Sequence, residues 1–300
     1  MKRIVSVSLG SSVRDHRVEV EFLGEKVTIE RIGTNGDLKK AIEMIGELDG
    51  KVDAFGLGGI DLYLISGSKR FIIKDAARMA RAAQKSPVLD GSGLKNTLER
   101  QVVDYLQNQL KIQLEGKKVL MVSAVDRFGM AEAFTKAGCK MVFGDLIFAL
   151  GIPIPLNSLR GLQRLANIAL PVITKMPFTL LYPTGSKQEK STPKYAQYYE
   201  DADIIAGDFL FIKKYMPYGL KNKIVVTNTV TAADIEELKQ KGVSLLVTST
   251  PEFNGRSFGT NVMEALLVSF SGRKPSELRD VDYMKLLKDM NFEPRVVKLG

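Results

Sequence analysis

One cysteine and one histidine in 300 residues set the first limits. Cys139 alone excludes a disulfide framework, and with His16 as the sole imidazole a zinc site would need mainly carboxylates, a poor donor set. No apolar run is long enough for a membrane span. The N-terminus, Met1-Lys2-Arg3, enters a short strand without the apolar core of a signal peptide. The expectation is a cytoplasmic protein with no metal and no membrane partner. Dense Lys/Arg blocks and aromatic–basic interleaving are missing as well, although 43 basic and 34 acidic residues give a net charge of +9. That pattern argues against nucleic acid and for a solvated basic surface that draws in a small anionic metabolite.

What is present is a globular composition, 45% hydrophobic and 26% charged, over a length that accommodates two domains. The stretch from Lys117 to Asp145 organises the chain. Val119-Leu120-Met121-Val122 reads as a buried parallel strand, Ser123 to Gly129 as a turn, Met130 to Lys136 as a helix, and Met141-Val142-Phe143 as a second strand ending at Gly144-Asp145. This is the first half of a dinucleotide-binding unit. The helix N-terminus would face a pyrophosphate, and the carboxylate of Asp145 would accept ribose hydroxyls and repel a 2′-phosphate, so NAD is expected over NADP. The turn has one glycine, Gly129, where the dinucleotide pattern has three. The alternative is an ordinary βαβ unit with a solvated Asp145.

Around this unit the chain divides. Residues 1–113 read as a mixed α+β domain for the substrate, and 114–272 as a Rossmann-like doubly wound parallel sheet, an α/β architecture. Residues 273–300 read as a tail packing back on the first domain. Strands are expected at Phe178–Tyr182, Ile204–Ala206, Ile224–Thr227 and Leu245–Val247, with a polar lid at Pro183–Pro193, and the helices Leu94–Gln109 and Thr260–Phe270 linking the domains. Strand ends make Ser123, Asp145, Tyr182, Gly207, Asn228 and Thr248 the rim of the crevice. Ser123, Asp126, Arg127, Phe128, Gly129, Asp145, Asn228 and Thr248 are the candidates for holding the cofactor.

Three clusters carry candidate chemistry. Lys74-Asp75 starts a helix, Asp90-Gly91-Ser92-Gly93-Leu94-Lys95-Asn96 opens a linking helix, and Glu252 to Ser257 follows the last strand. Lys74 paired with Asp90 suits proton transfer beside a nicotinamide, with Lys95 and Asn96 at the substrate and Arg256 on its carboxylate. The bland alternatives are a solvated Lys74 and an Asp90 that only caps a helix.

Three of these segments carry a family resemblance. Lys74-Asp75-Ala76-Ala77 resembles the K-E-A-A helix start of shikimate and quinate dehydrogenases. Asp90-Gly91-Ser92-Gly93 is similar to their N-T-D-G-x-G segment, and Gly259 to Pro275 to their closing helix. The stretches GSGLKNTLER and NGRSFGTNVMEA resemble chains identified as quinate 5-dehydrogenases. The resemblance implies an NAD(P)-dependent oxidoreductase acting on a small polyhydroxy carboxylate, with Lys74 and Asp90 catalytic. It also places Glu264 near a substrate-contacting glutamine and Ser11-Ser12 loosely at the family's substrate-binding Ser-x-Ser. The interval from Lys74 to Asp90 is shorter than in the family. The alternative reading is a non-catalytic ligand-binding or regulatory protein on the same scaffold, and either reading allows a homodimer.

Overall fold

The computed structural model describes residues 1–66, 69–181, 192–250, 252–253, 256–290 and 292–300. Its first sheet contains, in spatial order, β2 (His16–Phe22), β3 (Glu25–Gly33), β1 (Lys2–Ser8), β4 (Ala54–Gly58) and β7 (Val88–Leu89). β2 is antiparallel and the rest parallel. Central β1 is buried from Ile4 through Ser8, whereas the edge strand β2 alternates, with Arg17, Glu19 and Glu21 exposed and Val18 buried between partly covered neighbours. That difference follows from helices covering both faces of the sheet centre. A short hairpin, β5 (Tyr63–Ser66) with β6 (Lys69–Ile72), stands beside it.

The second sheet runs β9 (Lys140–Phe143), β8 (Lys118–Met121), β10 (Ile204–Ala206), β11 (Ile224–Thr227), β12 (Leu245–Thr248) and the antiparallel edge β15 (Arg295–Lys298). Counted from β8, the parallel strands take the order 2-1-3-4-5, a doubly wound Rossmann-like sheet whose topological switch lies between β8 and β10. The expected fold class is therefore present. A two-stranded ribbon, β13 (Glu252–Phe253) and β14 (Arg256–Ser257), leads out of β12.

Two helices hold the sheets together. In α3 (Ser92–Asn108), Leu94 and Leu98 join the core against the first sheet, and Val102, Val103 and Leu106 join the core against the second. α5 (Leu159–Ile173) does the same in reverse: Leu162 sits in the second core, while Ala166 and Leu170 sit in the first with α1 (Leu38–Leu48) and α2 (Lys74–Ala80). α4 (Phe128–Lys136), α7 (Ala196–Asp201), α8 (Phe209–Tyr215) and α9 (Ala232–Gln240) cover the second sheet.

Several expectations are corrected. Phe178–Leu181 is a helix, α6, not a strand. Pro177 stands just before it, and the Phe178 N–H donates to the Asp75 carboxylate at 3.1 Å, which satisfies an orphan donor at the helix start. The helix Thr260–Ser271 (α10) buries its apolar face on the first sheet rather than the second. The tail splits, with α11 (Asp280–Asp289) packing on the first body and β15 completing the second sheet. The lid expected over 183–193 falls almost wholly outside the described residues.

Gly91 shows why the entry to α3 is glycine-rich. Its φ is +91°, and a Cβ there would lie 2.6 Å from the Asn261 nitrogen and 2.8 Å from the Thr260 carbonyl carbon. At Gly93 a Cβ would meet the Glu264 carboxyl. These glycines let α10 approach the backbone, not a ligand. Gly91→Ala combines a left-handed backbone with overpacking and should lose about 2–4 kcal/mol, read by denaturant unfolding. A variant as stable as the parent would show that α10 yields freely.

Candidate functional site

Both sheets point their carboxyl ends into one cleft of about 180 Å³. From the first come Ser6 and Ser8 on β1, and Gly58 to Asp61 where β4 breaks at a double glycine. From the second come Asp126 and Arg127 after β8, Asp208 after β10 and Asn228 after β11. Between the sheets, Lys95 reaches in from the first turns of α3 and is only 8% exposed.

The Lys95 ammonium lies 3.6 Å from Asp61 and 3.7 Å from Asp126. Neither approach is a hydrogen bond by distance, so its N–H donors remain available to a ligand oxygen. Burial works against the lysine charge, but Asp61 and then Asp126 outweigh it and hold the amine protonated. The two carboxylates are driven apart. Burial raises Asp61, with further upward pushes from Asp126 and Asp90 that Lys95 only partly offsets. At Asp126 burial is overcome by Lys95, Arg127 and the Ser123 hydroxyl, and its carboxyl falls below the ordinary range. The two carboxyls are thus shifted in opposite directions, a feature that pairs of groups used in acid–base chemistry share.

Beneath Lys95 lies a buried cation, Arg127, 4% exposed. Its guanidinium donates to Glu99 at 2.6 Å and to Asp208 at 3.1 Å, and its Nε is 3.7 Å from Asp126. Asp208 is further fixed by the Asn228 amide at 2.9 Å and caps α8 through the Leu210 N–H. Burial lifts the Glu99 carboxyl to about 7 against the pull of Arg127 and Lys95. At the mouth, Arg31 is held by Asp15 and the Ser8 hydroxyl, while among the described residues the Arg14 guanidinium has no hydrogen-bonding or ionic partner.

Lys74 and Asp90 do not pair. Lys74 is exposed and borders a separate shallow depression with Arg78 and Lys175, because α2 turns its first residue outward. Asp90 reaches the cleft wall, but its carboxylate accepts the N–H groups of Leu62, Tyr63 and Ser92, so it anchors the β5 hairpin and the start of α3. Lys95 takes the place expected of Lys74, and its partner is Asp61. Asn96 faces the other side of α3, with its carbonyl oxygen accepting from Arg100. Ser11 caps a short 3₁₀ turn and Ser12 bonds Asn35, while Ser6 and Ser8 form the spaced serine pair that lines the cleft. Glu264 is buried against Gly93 and the Tyr283 hydroxyl, behind the cleft. The Arg256 side chain lies outside what is described.

The dinucleotide candidates are also redistributed. Asp145 does not look outward. One carboxylate oxygen accepts the N–H groups of Ala124 and Val125, each at 3.0 Å, and burial carries the group up to about 6 despite those bonds. Ser123 donates to Asp126, Phe128 and Gly129 pack beside Asn96, and Thr248 is fully buried with its hydroxyl on the Thr250 carbonyl. The N–H groups of the turn that would meet a pyrophosphate already meet a carboxylate, with Asp126 adjacent. The residues present do not fit a dinucleotide at this turn. Asp61, Asp208, Ser6, Ser8 and Arg14 escaped the sequence reading. The strand-end rule applied to the first sheet, at Gly58-Gly59-Ile60-Asp61, points to one of them.

Residues 3–90 match the family described as Domain of unknown function (DUF8753), and residues 93–299 match Domain of unknown function (DUF8754). The join falls at the turn into α3. No curated protein matches the chain. Among solved structures, the glutamate dehydrogenase of Thermus thermophilus is 10% identical, with a TM-score of 0.43 over 97% of this chain and 74% of that one. The L-tryptophan dehydrogenase of Nostoc punctiforme is 10% identical, with a TM-score of 0.39 over 96% and 80%. A galactofuranose binding protein is 10% identical, with a TM-score of 0.40 over 97% and 99%. The chain belongs to the DUF8754 family.

Proposed function

We propose that the chain binds a small hydroxyl-rich carboxylate in the cleft around Lys95, as a ligand-binding or regulatory protein on a Rossmann-like scaffold. One observation carries this reading: a buried ammonium stands between Asp61 and Asp126 and gives no hydrogen bond to another described residue. A hydroxyl placed there accepts from Lys95 and donates to a carboxylate, which recovers the hydrogen bonding the lysine lacks. Arg14 at the mouth, with no partner among the described residues, supplies the cation for the ligand's carboxylate. Titration calorimetry with quinate, shikimate and gluconate, against glucitol as the uncharged control, tests it. At least one acid should bind, and Lys95→Met should weaken it at least tenfold (about 1.4 kcal/mol or more). Failure of the whole set to bind, or full affinity in Lys95→Met, would remove the proposal.

A second reading, nicotinamide-dependent oxidoreduction of the same class of ligand, is favoured by the opposed Asp61 and Asp126 carboxyls. In it Lys95 would hold and move the proton at the ligand oxygen. The oxidised cofactor would accept the hydride from the ligand's carbinol carbon, and its reduced form would return it to the ketone. The inward Asp145 speaks against this reading, and it also withdraws the basis for preferring NAD to NADP. Titration with NAD⁺, NADH, NADP⁺ and NADPH decides: micromolar binding of any of them would put the oxidoreductase first.

A further inference from the structure

Lys95 lines two separate spaces. Besides the cleft, Lys95 and Asp126 line a second chamber of about 250 Å³ between α3, α4 and the β5 hairpin. Its wall carries the carboxylates of Glu99, Asp126 and Glu132 and the cations Lys95 and Arg100, with Arg127 behind it. Glu132 is held by Arg100 at 2.5 Å, Glu99 by Arg127 at 2.6 Å, and Asp126 by the Ser123 hydroxyl and the nearby cations. Every carboxylate of the chamber therefore has a partner. The donors that give no hydrogen bond to another described residue are the Ser92 and Tyr63 hydroxyls, the Asn96 amide N–H₂ and the Lys95 ammonium, whose contacts with Asp61 and Asp126 are ion pairs at 3.6 and 3.7 Å. Phe128 and Ile65 supply an apolar side.

We infer that this chamber is a second binding site, for a small planar carboxylate that accepts hydrogen bonds from Lys95, Ser92, Tyr63 and Asn96. Such a ligand replaces water on donors that are buried or half-buried and give no hydrogen bond within the described residues, and the apolar wall takes its hydrocarbon end. Because Lys95 borders both spaces, a carboxylate in the chamber and a ligand in the cleft compete for the same ammonium, so each should weaken the other by the same factor. The inference does not depend on which ligand fills the cleft.

Acetate and its neutral isostere acetamide are the probes, followed by saturation-transfer NMR on the full chain. Acetate should bind saturably and more tightly than acetamide, and it should slow reductive methylation of Lys95. The double variant Ser92→Ala/Tyr63→Phe, which deletes two donors and little volume, should lose at least tenfold in acetate affinity, while Arg14→Gln should change it less than twofold. Three results would overturn the inference: no saturable acetate binding, acetate and acetamide binding alike, or acetate binding that survives the double variant and disappears in Arg14→Gln. The last would place the anion in the main cleft, supporting the proposed function while removing the second site.

Discussion

Arg127→Leu is expected to cost about 3–5 kcal/mol of unfolding free energy, and adding Glu99→Leu should recover most of it. Among the described residues the guanidinium is the one side chain hydrogen-bonded to the Glu99 carboxylate, and Glu99 is 1% exposed, so removing the cation leaves a buried carboxyl with neither its donor nor its counter-charge. Asp208 keeps the Asn228 amide and suffers less. The loss should depend on pH. Glu99 already stands at about 7 with Arg127 beside it, and without that charge its folded-state carboxyl moves further above its ordinary 4.5. A group raised in the folded state contributes stability that is complete below its unfolded value and is lost as pH rises through its folded value. The gap between parent and Arg127→Leu should therefore widen from pH 5 to pH 8.5 in denaturant titrations. A double variant no more stable than the single one would show that Arg127 serves the fold through Asp208 or packing instead. Since Glu99 rides on α3 and Arg127 on the turn after β8, the same pair fixes the floor of the cleft to both bodies.

How much of this was legible depends on the kind of information each feature carries. The βα alternation from Val119 onward was readable because strands buried on both faces are continuous apolar runs, and β8, β10, β11 and β12 lie close to where those runs stand. The run at Phe178 has the same composition, but the nearby Pro177 and a carboxylate 103 residues earlier in the chain make it a helix. Lys74 and Lys95 illustrate the limit for the site. Each lies at the start of a helix near an aspartate, and a sequence shows neither which helix crosses between the sheets nor which side chain faces the gap. Position along the chain was right for Asp90 and Asp145, and chemistry was not. A carboxylate at a strand end is equally suited to a ligand's hydroxyls and to a neighbouring backbone N–H, and only the packed turn decides.

Glu264→Gln should stabilise the protein at alkaline pH and leave it nearly unchanged at pH 5. Burial drives the Glu264 carboxyl from its ordinary 4.5 to about 8, helped by the negative charge of Asp90, while the Tyr283 hydroxyl donating at 2.8 Å holds it back. Near neutrality the side chain is therefore largely the uncharged acid, for which glutamine is an isosteric neutral replacement. The folded value lies above the unfolded one, so the folded state binds the proton more tightly. Its stability contribution is full below 4.5, falls as pH climbs through about 8, and is absent beyond. At about 1.4 kcal/mol per pH unit the upper limit is near 5 kcal/mol, and relaxation of the site would reduce it to a few. Asp145 and Glu99 are also raised, but they are common to both proteins and cancel in the difference. Calorimetric melting of parent and variant at pH 5, 7 and 9 should give curves that nearly coincide at pH 5 and separate by several degrees at pH 9, with the glutamine variant higher. Curves that stay parallel across this range would mean that Glu264 is ionised in the folded protein at neutral pH. A fixed charge would then face Gly93 and Tyr283 behind the cleft, and the turn into α3 would owe its position to that charge rather than to a buried neutral hydrogen bond.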